Sequence, residues 1–262
     1  MTELATQTTA DWNEFEPRPY LDAWYAEITP EITQPCRFLL ESYRQVPPNA
    51  RMIDFCCGPT IYQHLAAAAY VADMHACDFL PINLQEIQRW LDQAAAAFDW
   101  TPILREVLRL EGDPLPSSAA IDQRAALVRQ KLTALSLCDI RQQHPLGRDV
   151  GRIYDVVSHC YGADVVANTV AEWETYIQNC CSVLKPNGRL MMTLIKDAEW
   201  WPNGERNVPA VVLNEAHVQH ALLQIGFDPA SIVIETQTVA DASEAGYSEI
   251  IFVTATLGAD VA

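Results

Sequence analysis

The residues best placed to do chemistry follow short apolar runs. Residues 51–56 read RMIDFC and lead into Cys57-Gly58-Pro59-Thr60; residues 74–77 read MHAC and end at Asp78. An acid closing the second strand of a parallel sheet, about 20 residues past the first turn, is placed to grip a ribose. Its carboxylate can accept hydrogen bonds from two vicinal hydroxyls. An Asp at a strand end also fits a plain turn or cap, and both readings stand at this point. Asp139-Ile140 follows a third short run at residues 134–137, the analogous place for an adenine amino group and ring. Gly58 is the lone glycine of the first turn, and the chain has neither a GxGxxG fingerprint nor a Walker loop. Pyrophosphate cradling is therefore not expected.

The elements that would position these residues alternate along the chain. Residues 20–44 carry helical material interrupted near Pro30 and Pro35, after a polar start (1–19) expected to be mobile. Strand 51–56 is followed by helix 61–70, strand 74–77 and a helix over 83–98 with apolar residues at i, i+3 and i+4. The alanine runs at 66–69 and 94–97 suit helices, and 111–119 reads as a surface loop. A helix over 121–134, a strand at 134–137 and a strand at 153–159 come next. Helix 169–184 is stopped by Lys185-Pro186-Asn187-Gly188 and strand 189–195 follows. Helix 214–225 ends at Gly226. Two β-rich runs, 231–238 and 248–256, have no helix between them and should pair antiparallel. The pattern is an α/β sheet covered on both faces, with a cap over residues 1–50 and the main domain over 51–262. A sheet that keeps a ribose acid without pyrophosphate glycines suggests a nucleoside ligand lacking phosphates. S-adenosylmethionine is the common one.

Composition narrows the partners. The 262 residues carry 17 Lys+Arg against 34 Asp+Glu, a formal charge of −17. Such a surface repels phosphate backbones, so nucleic acid and anionic membranes are not expected partners. No apolar run approaches the roughly 20 residues that span a bilayer, and the start does not read as a signal peptide. Eight cysteines without CxxC or Cys/His ligand spacing argue against a disulfide scaffold and against a metal site. They fit reduced thiols in a cytoplasmic protein.

Several segments together resemble the nicotinamide, phenylethanolamine and thioether methyltransferase family. They are Phe15-Glu16-Pro17-Arg18-Pro19-Tyr20-Leu21 with Trp24-Tyr25, Gly58-Pro59-Thr60-Ile61-Tyr62-Gln63, and Asp78 with Asn83-Leu84-Gln85-Glu86. Ala97-Phe98-Asp99-Trp100-Thr101-Pro102, Leu110-Glu111-Gly112, Cys138-Asp139-Ile140, Pro145-Leu146-Gly147 and Leu184-Lys185-Pro186-Asn187-Gly188 complete the set, in the family's order. The resemblance implies a Rossmann-like class I methyltransferase: a seven-stranded, mostly parallel sheet with an antiparallel C-terminal strand, helices on both faces and an N-terminal helical cap. It implies S-adenosylmethionine as methyl donor, a small-molecule acceptor and a monomer. Tyr20 and Tyr25 would close over the donor, with Gly58 and Thr60 in its turn and Tyr62 beside its amino-acid end. Asp78 would take the ribose, with Phe79 and Asn83 along the same edge. Asp139 and Ile140 would meet the adenine, and Cys160 the methionine portion.

The chain departs from that family in two places. Cys56 stands where the family's Gly-x-Gly-Pro turn has its first glycine, which should alter donor affinity; Cys56 is alternatively a reactive thiol at a helix N-terminus. On the acceptor side, Leu194, Ala198 and Ala210 align with an Asp and two Ser of the nicotinamide enzymes, so nicotinamide is not the expected acceptor. Asp164 matches an acid of the catecholamine enzymes, Asp197 and Glu199 flank a second, and Trp201 of Trp200-Trp201 falls on a substrate-contacting tyrosine. These acids are the catalytic candidates, since an amine that must lose a proton gains from a nearby carboxylate. Trp200, Trp201, Tyr20 and His159 are candidate acceptor contacts, His159 being either a proton acceptor or a hydrogen-bonded core residue. The leading reading is N-methylation of an amine or ring nitrogen. S-methylation of a thiol or thioether, and a degenerate fold acting as a binding protein, are the alternatives.

Overall fold

The computed structural model describes residue 12 and residues 15–203, 206–239 and 246–259. Residues 1–11 and 13–14, most of the expected mobile start, lie outside the described residues. The chain opens with helices α1 (Pro17–Trp24) and α2 (Pro30–Tyr43), then runs β1 (Arg51–Phe55), α3 (Tyr62–Ala67), β2 (Asp73–Asp78), α4 (Pro81–Leu91), α5 (Thr101–Glu111) and α6 (Ser118–Lys131). It continues through β3 (Leu132–Leu137), β4 (Tyr154–Cys160), α7 (Ala163–Val166), α8 (Val170–Cys181) and β5 (Leu184–Ile195). A hairpin, β6 (Trp200–Asn203) and β7 (Arg206–Pro209), precedes α9 (Glu215–Ile225), β8 (Val233–Thr238) and β9 (Glu249–Thr256).

Seven strands form one sheet in the order β3-β2-β1-β4-β5-β9-β8. Strands β1 to β5 are mutually parallel, and β9 runs antiparallel between β5 and β8. The expected fold is thus present, antiparallel C-terminal strand included. Chain order reverses between β1 and β4, so their carboxyl ends flank the crevice where such sheets bind ligands.

Both faces of the sheet are covered, and strand periodicity sorts its residues between two cores. Met52, Val156 and Met191 pack on one side with Leu39, Leu40, Leu65 and Ile103 from α2, α3 and α5. Their neighbours Ile53, Val157 and Met192 pack on the other with Trp173, Ile177, Val218 and Leu222 from α8 and α9. Successive strand residues point to opposite faces, so a strand buried on both sides reads as a continuous apolar run. The cap is tied in through Leu21, Ile32, Cys36 and Tyr43, all buried in the first core.

The helices depart from expectation in specific ways. The helix expected over 83–98 ends at Leu91, because Gln93 takes a left-handed φ of 56°. There the Gln93 N–H donates to the Trp90 carbonyl (3.1 Å) and the Ala94 N–H to that of Arg89 (2.9 Å). That pair of bonds is a Schellman stop, and it leaves Ala94–Ala96 exposed outside the helix. Helix α5 has no counterpart among the sequence expectations. It starts where the Asp99 carboxylate accepts from the Thr101 N–H (2.9 Å) and buries Ile103, Leu104 and Val107. Pro30 opens α2 rather than interrupting it, and Pro35 lies inside that helix without ending it. Strand β5 begins at Leu184, ahead of the expected break, and Asn187 takes the positive φ (62°) expected of Gly188.

Candidate functional site

The turn after β1 is built on two left-handed residues, Cys56 (φ 56°) and Gly58 (φ 60°). It is pinned by the Cys57 N–H donating to the Cys77 carbonyl (3.1 Å) and the Thr60 hydroxyl donating to the Cys57 carbonyl (2.8 Å). Helix α3 begins just beyond, so its free N–H groups face this turn. A left-handed L-residue costs about 1–2 kcal/mol, which a glycine avoids. Space for the Cys56 side chain comes from elsewhere. A Cβ on Gly162, after β4, would lie 2.5 Å from the Cys56 Cβ and 2.8 Å from His159 Cε1. The missing side chain of Gly162 leaves the room that Cys56 fills. The Cys56 thiol is pushed well up, first by its hydrogen bond with Cys138 and then by burial.

Asp78 ends β2 beside that turn, 6% exposed. Its carboxylate accepts from the Gly58 N–H (2.8 Å), the Leu80 N–H (2.9 Å) and Asn83 Nδ2 (2.9 Å). Burial pushes the carboxyl up to about 6, while those three donors pull the other way. Three N–H groups fix the carboxylate's orientation but do not exhaust its lone pairs. Asn83 Oδ1, buried on the same edge, has no hydrogen-bond partner within the described residues. An orphaned acceptor beside an oriented carboxylate is what a pair of ribose hydroxyls would satisfy.

The next strand end differs from expectation in detail. Asp139 follows β3 with its carboxylate already engaged: Arg141 Nε donates at 2.7 Å and Nη2 at 3.0 Å, and Gln142 adds a longer bond. The Arg141 guanidinium holds this carboxyl below the usual range and also lies over the Phe79 ring, 4.7 Å from its centroid. Phe79, Ile140 and Arg141 line the larger cavity at this strand end, and the sequence reading missed Arg141. Nothing in its local sequence separates it from an ordinary surface cation.

The cap supplies an aromatic roof. Tyr25 stacks on Tyr62 (5.7 Å, interplanar angle 25°) and meets Trp100 at 5.5 Å and Tyr20 at 5.8 Å. Tyr20 sets its ring edge-on to Trp201 of β6 at 6.2 Å, and Trp201 stacks with Trp12 at 6.5 Å. Burial raises the phenols of Tyr20, Tyr25 and Tyr62, so these rings act as neutral walls. Beneath the roof lie two connected chambers. The larger spans about 930 Å³, its open mouth included, and every residue expected at the donor lines it: Tyr20, Tyr25, Cys56, Gly58, Thr60, Tyr62, Asp78, Phe79, Asn83, Asp139, Ile140 and Cys160. The smaller, about 550 Å³, shares Tyr20, Tyr25, Tyr161, Val165 and Trp201 with it and adds Trp24, Glu31, Ile32, Asp164, Ile195 and Tyr247. Tyr161, Glu31 and Tyr247 were not among the sequence candidates.

The candidate acids separate. Asp164 starts α7, is 1% exposed and lines the smaller chamber. The Ile195 N–H donates to its Oδ2 at 3.2 Å, and burial pushes the carboxyl up to about 7. Asp197 and Glu199 are exposed and line neither chamber. Asp197 adopts φ 51°, turning the chain outward between β5 and the hairpin. Trp200 packs against Gly246, where an added Cβ would strike its backbone oxygen at 2.4 Å, while Trp201 faces both chambers. His159 is buried off both chambers: its Nε2 accepts from the Ala163 N–H (2.8 Å), and burial lowers it to about 4. Its neutral ring anchors the start of α7, and so the backbone of Asp164, instead of touching an acceptor. Leu194, Ala198 and Ala210 are all buried in apolar clusters, and none of them lines either chamber.

Comparison with known proteins agrees with this geometry. The model of the NNMT/PNMT/TEMT family matches residues 3–257. Indolethylamine N-methyltransferase of Oryctolagus cuniculus is 30% identical over 232 residues, covering 86% of each chain. Phenylethanolamine N-methyltransferase of Sus scrofa is 27% identical over 229 residues, covering 83% of this chain and 79% of its own. Among solved structures, an S-adenosylmethionine-dependent methyltransferase from Methanosarcina mazei superposes with a TM-score of 0.55 at 10% identity, covering 83% of this chain and 97% of its own. Among the described residues, no helix is long and apolar enough to cross a membrane. With a match along nearly its whole length, the chain belongs to the NNMT/PNMT/TEMT family.

Proposed function

We propose that this chain methylates the nitrogen of a compact aromatic amine, with Asp164 as the proton acceptor. Family membership makes it an S-adenosylmethionine-dependent methyltransferase of small-molecule nitrogens. The finer reading rests on one observation: a buried carboxylate, pushed up to about 7, lines an aromatic chamber that shares five lining residues with the larger cavity. The two relatives named above take their names from aryl-ethyl amines, a chemistry that ring walls of this kind accommodate.

When bound, S-adenosylmethionine supplies a methyl group activated by its sulfonium. The residues of this chain do the rest. Asp78 and Asn83 hold the ribose, and Phe79, Ile140 and Arg141 wall the purine. Tyr20, Tyr25, Tyr62 and Trp201 exclude water where the two chambers meet, and their π faces favour positive charge on either reactant. Asp164 takes the proton that the acceptor nitrogen sheds. A base with a pKa near 7 suits this at physiological pH. We further propose that residues 1–50 serve as a cap, since α1 and α2 bring Tyr20, Tyr25 and Glu31 to the chambers. A monomer follows the family resemblance, and a reducing, cytoplasmic setting fits the eight free cysteines. The net charge of −17 disfavours nucleic acid and anionic membranes as partners.

Release of S-adenosylhomocysteine with arylalkylamines, thiols and thioethers tests the reading. Asp164→Asn should lower kcat on an amine about a hundredfold and abolish a rise in rate through pH 7. An unchanged rate in that variant, or turnover of sulfur acceptors alone, overturns it.

A further inference from the structure

The acceptor chamber holds a second carboxylate that the methyl-transfer reading leaves unused. Glu31 lies in the first turn of α2 and lines the chamber, half-buried. Facing it is Tyr247, 8% exposed, from the segment just ahead of β9. The Tyr247 hydroxyl donates to Glu31 Oε1 at 3.4 Å, joining the cap to the far end of the chain. That span exceeds an ordinary O–H···O bond and leaves the carboxylate lone pairs free for a better donor.

The two acids line one space. The Tyr247 phenol is pushed up by burial first, and then by the negative charge of Glu31 and of Asp164. Glu31, Tyr247 and Asp164 all line this chamber. No Lys, Arg or His is among the residues lining this chamber, and Glu31 makes no ion pair with any described residue. An acid serving only the dipole of α2 works from solvent and needs no tyrosine partner. Glu31 has one, and burial raises its carboxyl. Half-buried and without a cation, the Glu31 carboxylate keeps acceptor capacity for a further donor.

Resting on the N-methylation reading, we propose that Glu31, steered by Tyr247, selects acceptors carrying a second hydrogen-bond donor remote from the methylated nitrogen. A second ammonium is preferred over a hydroxyl, because the chamber offers two acids and no base. The acceptor class is then an aromatic diamine, with the reacting nitrogen toward Asp164 and the donor cleft and the other nitrogen toward the cap. Glu31 acts on binding and takes no part in proton removal.

The test compares phenethylamine, tyramine and 4-(2-aminoethyl)benzylamine by S-adenosylhomocysteine release. Wild-type kcat/KM should favour the diamine over phenethylamine by about tenfold or more, with tyramine between, as expected for a charge-assisted hydrogen bond. Glu31→Gln should collapse that ratio toward one through a higher KM for the diamine. Tyr247→Phe should reduce the ratio about threefold, because the tyrosine works through Glu31. Three outcomes overturn the proposal while methyl transfer stands: no preference in the wild type, a preference that survives Glu31→Gln, or an equal fall for all three amines. No turnover of any amine overturns the N-methylation reading and this proposal together.

Discussion

The contact between Cys56 and Gly162 gives the sharpest test of how this donor turn is built. Gly162 has φ −115°, a conformation open to any residue, so only space forbids a side chain there. An added Cβ would meet the Cys56 Cβ at 2.5 Å, the Cys56 Sγ at 3.2 Å and His159 Cε1 at 2.8 Å. A Cβ cannot swing aside as the tip of a long side chain can. Gly162→Ala should therefore cost about 2–3 kcal/mol, the upper range for overpacking a core. Cys56→Gly alone should be nearly neutral. It relieves about 1 kcal/mol of left-handed strain and loses about as much from the thiol's packing. Together, the two changes leave only the His159 contact. The double variant should recover at least about 1 kcal/mol relative to the sum of the singles. Urea midpoints for the four proteins measure this. Calorimetric titration with S-adenosylhomocysteine should show the same pattern, weakest binding in Gly162→Ala and recovery in the double variant. Additivity within about 0.5 kcal/mol would refute the idea that Cys56 occupies the room left by Gly162.

Three further outcomes follow from the same geometry. Asp78→Asn turns an amide NH2 toward at least one of three N–H donors and should weaken S-adenosylhomocysteine binding at least about thirtyfold by calorimetry; unchanged affinity would remove Asp78 from the ribose site. Asp54, fully buried in β1, is pushed up to about 8 by burial, above its unfolded value near 3.8. The folded protein therefore holds one proton more than the unfolded chain between about pH 4 and 8, and stability falls as pH rises through that window. Asp54→Asn should gain stability relative to wild type by up to about 1.4 kcal/mol per pH unit from pH 5 to 7.5, read from urea midpoints; a pH-independent difference contradicts this. His64, 3.5 Å from Asp54 and lowered to about 3 by burial, acts with the opposite sign between about pH 3 and 6.5 but is common to both proteins. Finally, Trp201→Ala should raise the KM for an arylalkylamine about tenfold, since Trp201 walls both chambers.

The donor half was legible in the sequence for a physical reason. Strands buried on both faces read as unbroken apolar runs, and a sheet binds its ligand at strand ends. Asp78 and Asp139 could thus be placed by counting from those runs, while Cys160 came only with the family resemblance. Helix ends were less legible. Alanine is the best helix former, so residues 94–97 argued for a longer α4, yet Gln93 takes the left-handed stop usually given to glycine. The acceptor half was hidden by geometry. Asp197 and Glu199 sit in the right segment, but a positive φ at Asp197 turns the chain and leaves both carboxylates in solvent. Glu31 reads as an acid at a helix start, and only the folded chain brings it to Tyr247, 216 residues away.

That contrast says something about how such an enzyme can change acceptors. The donor cleft is made largely of strand ends whose register is fixed by the hydrogen-bonded sheet from β3 to β4. The acceptor chamber is assembled from separate additions: Glu31 and Ile32 from the cap, Trp201 from the β6–β7 hairpin, and Tyr247 from the segment before β9. A substitution in any of these alters the acceptor wall without moving Asp78 or the turn at Gly58. The apolar Leu194, Ala198 and Ala210 are tolerated for the same reason, because they lie in apolar clusters beside the chamber and hold no donor contact. The two halves meet structurally at Gly162, which touches Cys56 on the donor side and precedes Asp164 on the other. A change there should be felt in both donor affinity and amine turnover, whereas changes at Glu31 or Tyr247 should be felt in acceptor choice.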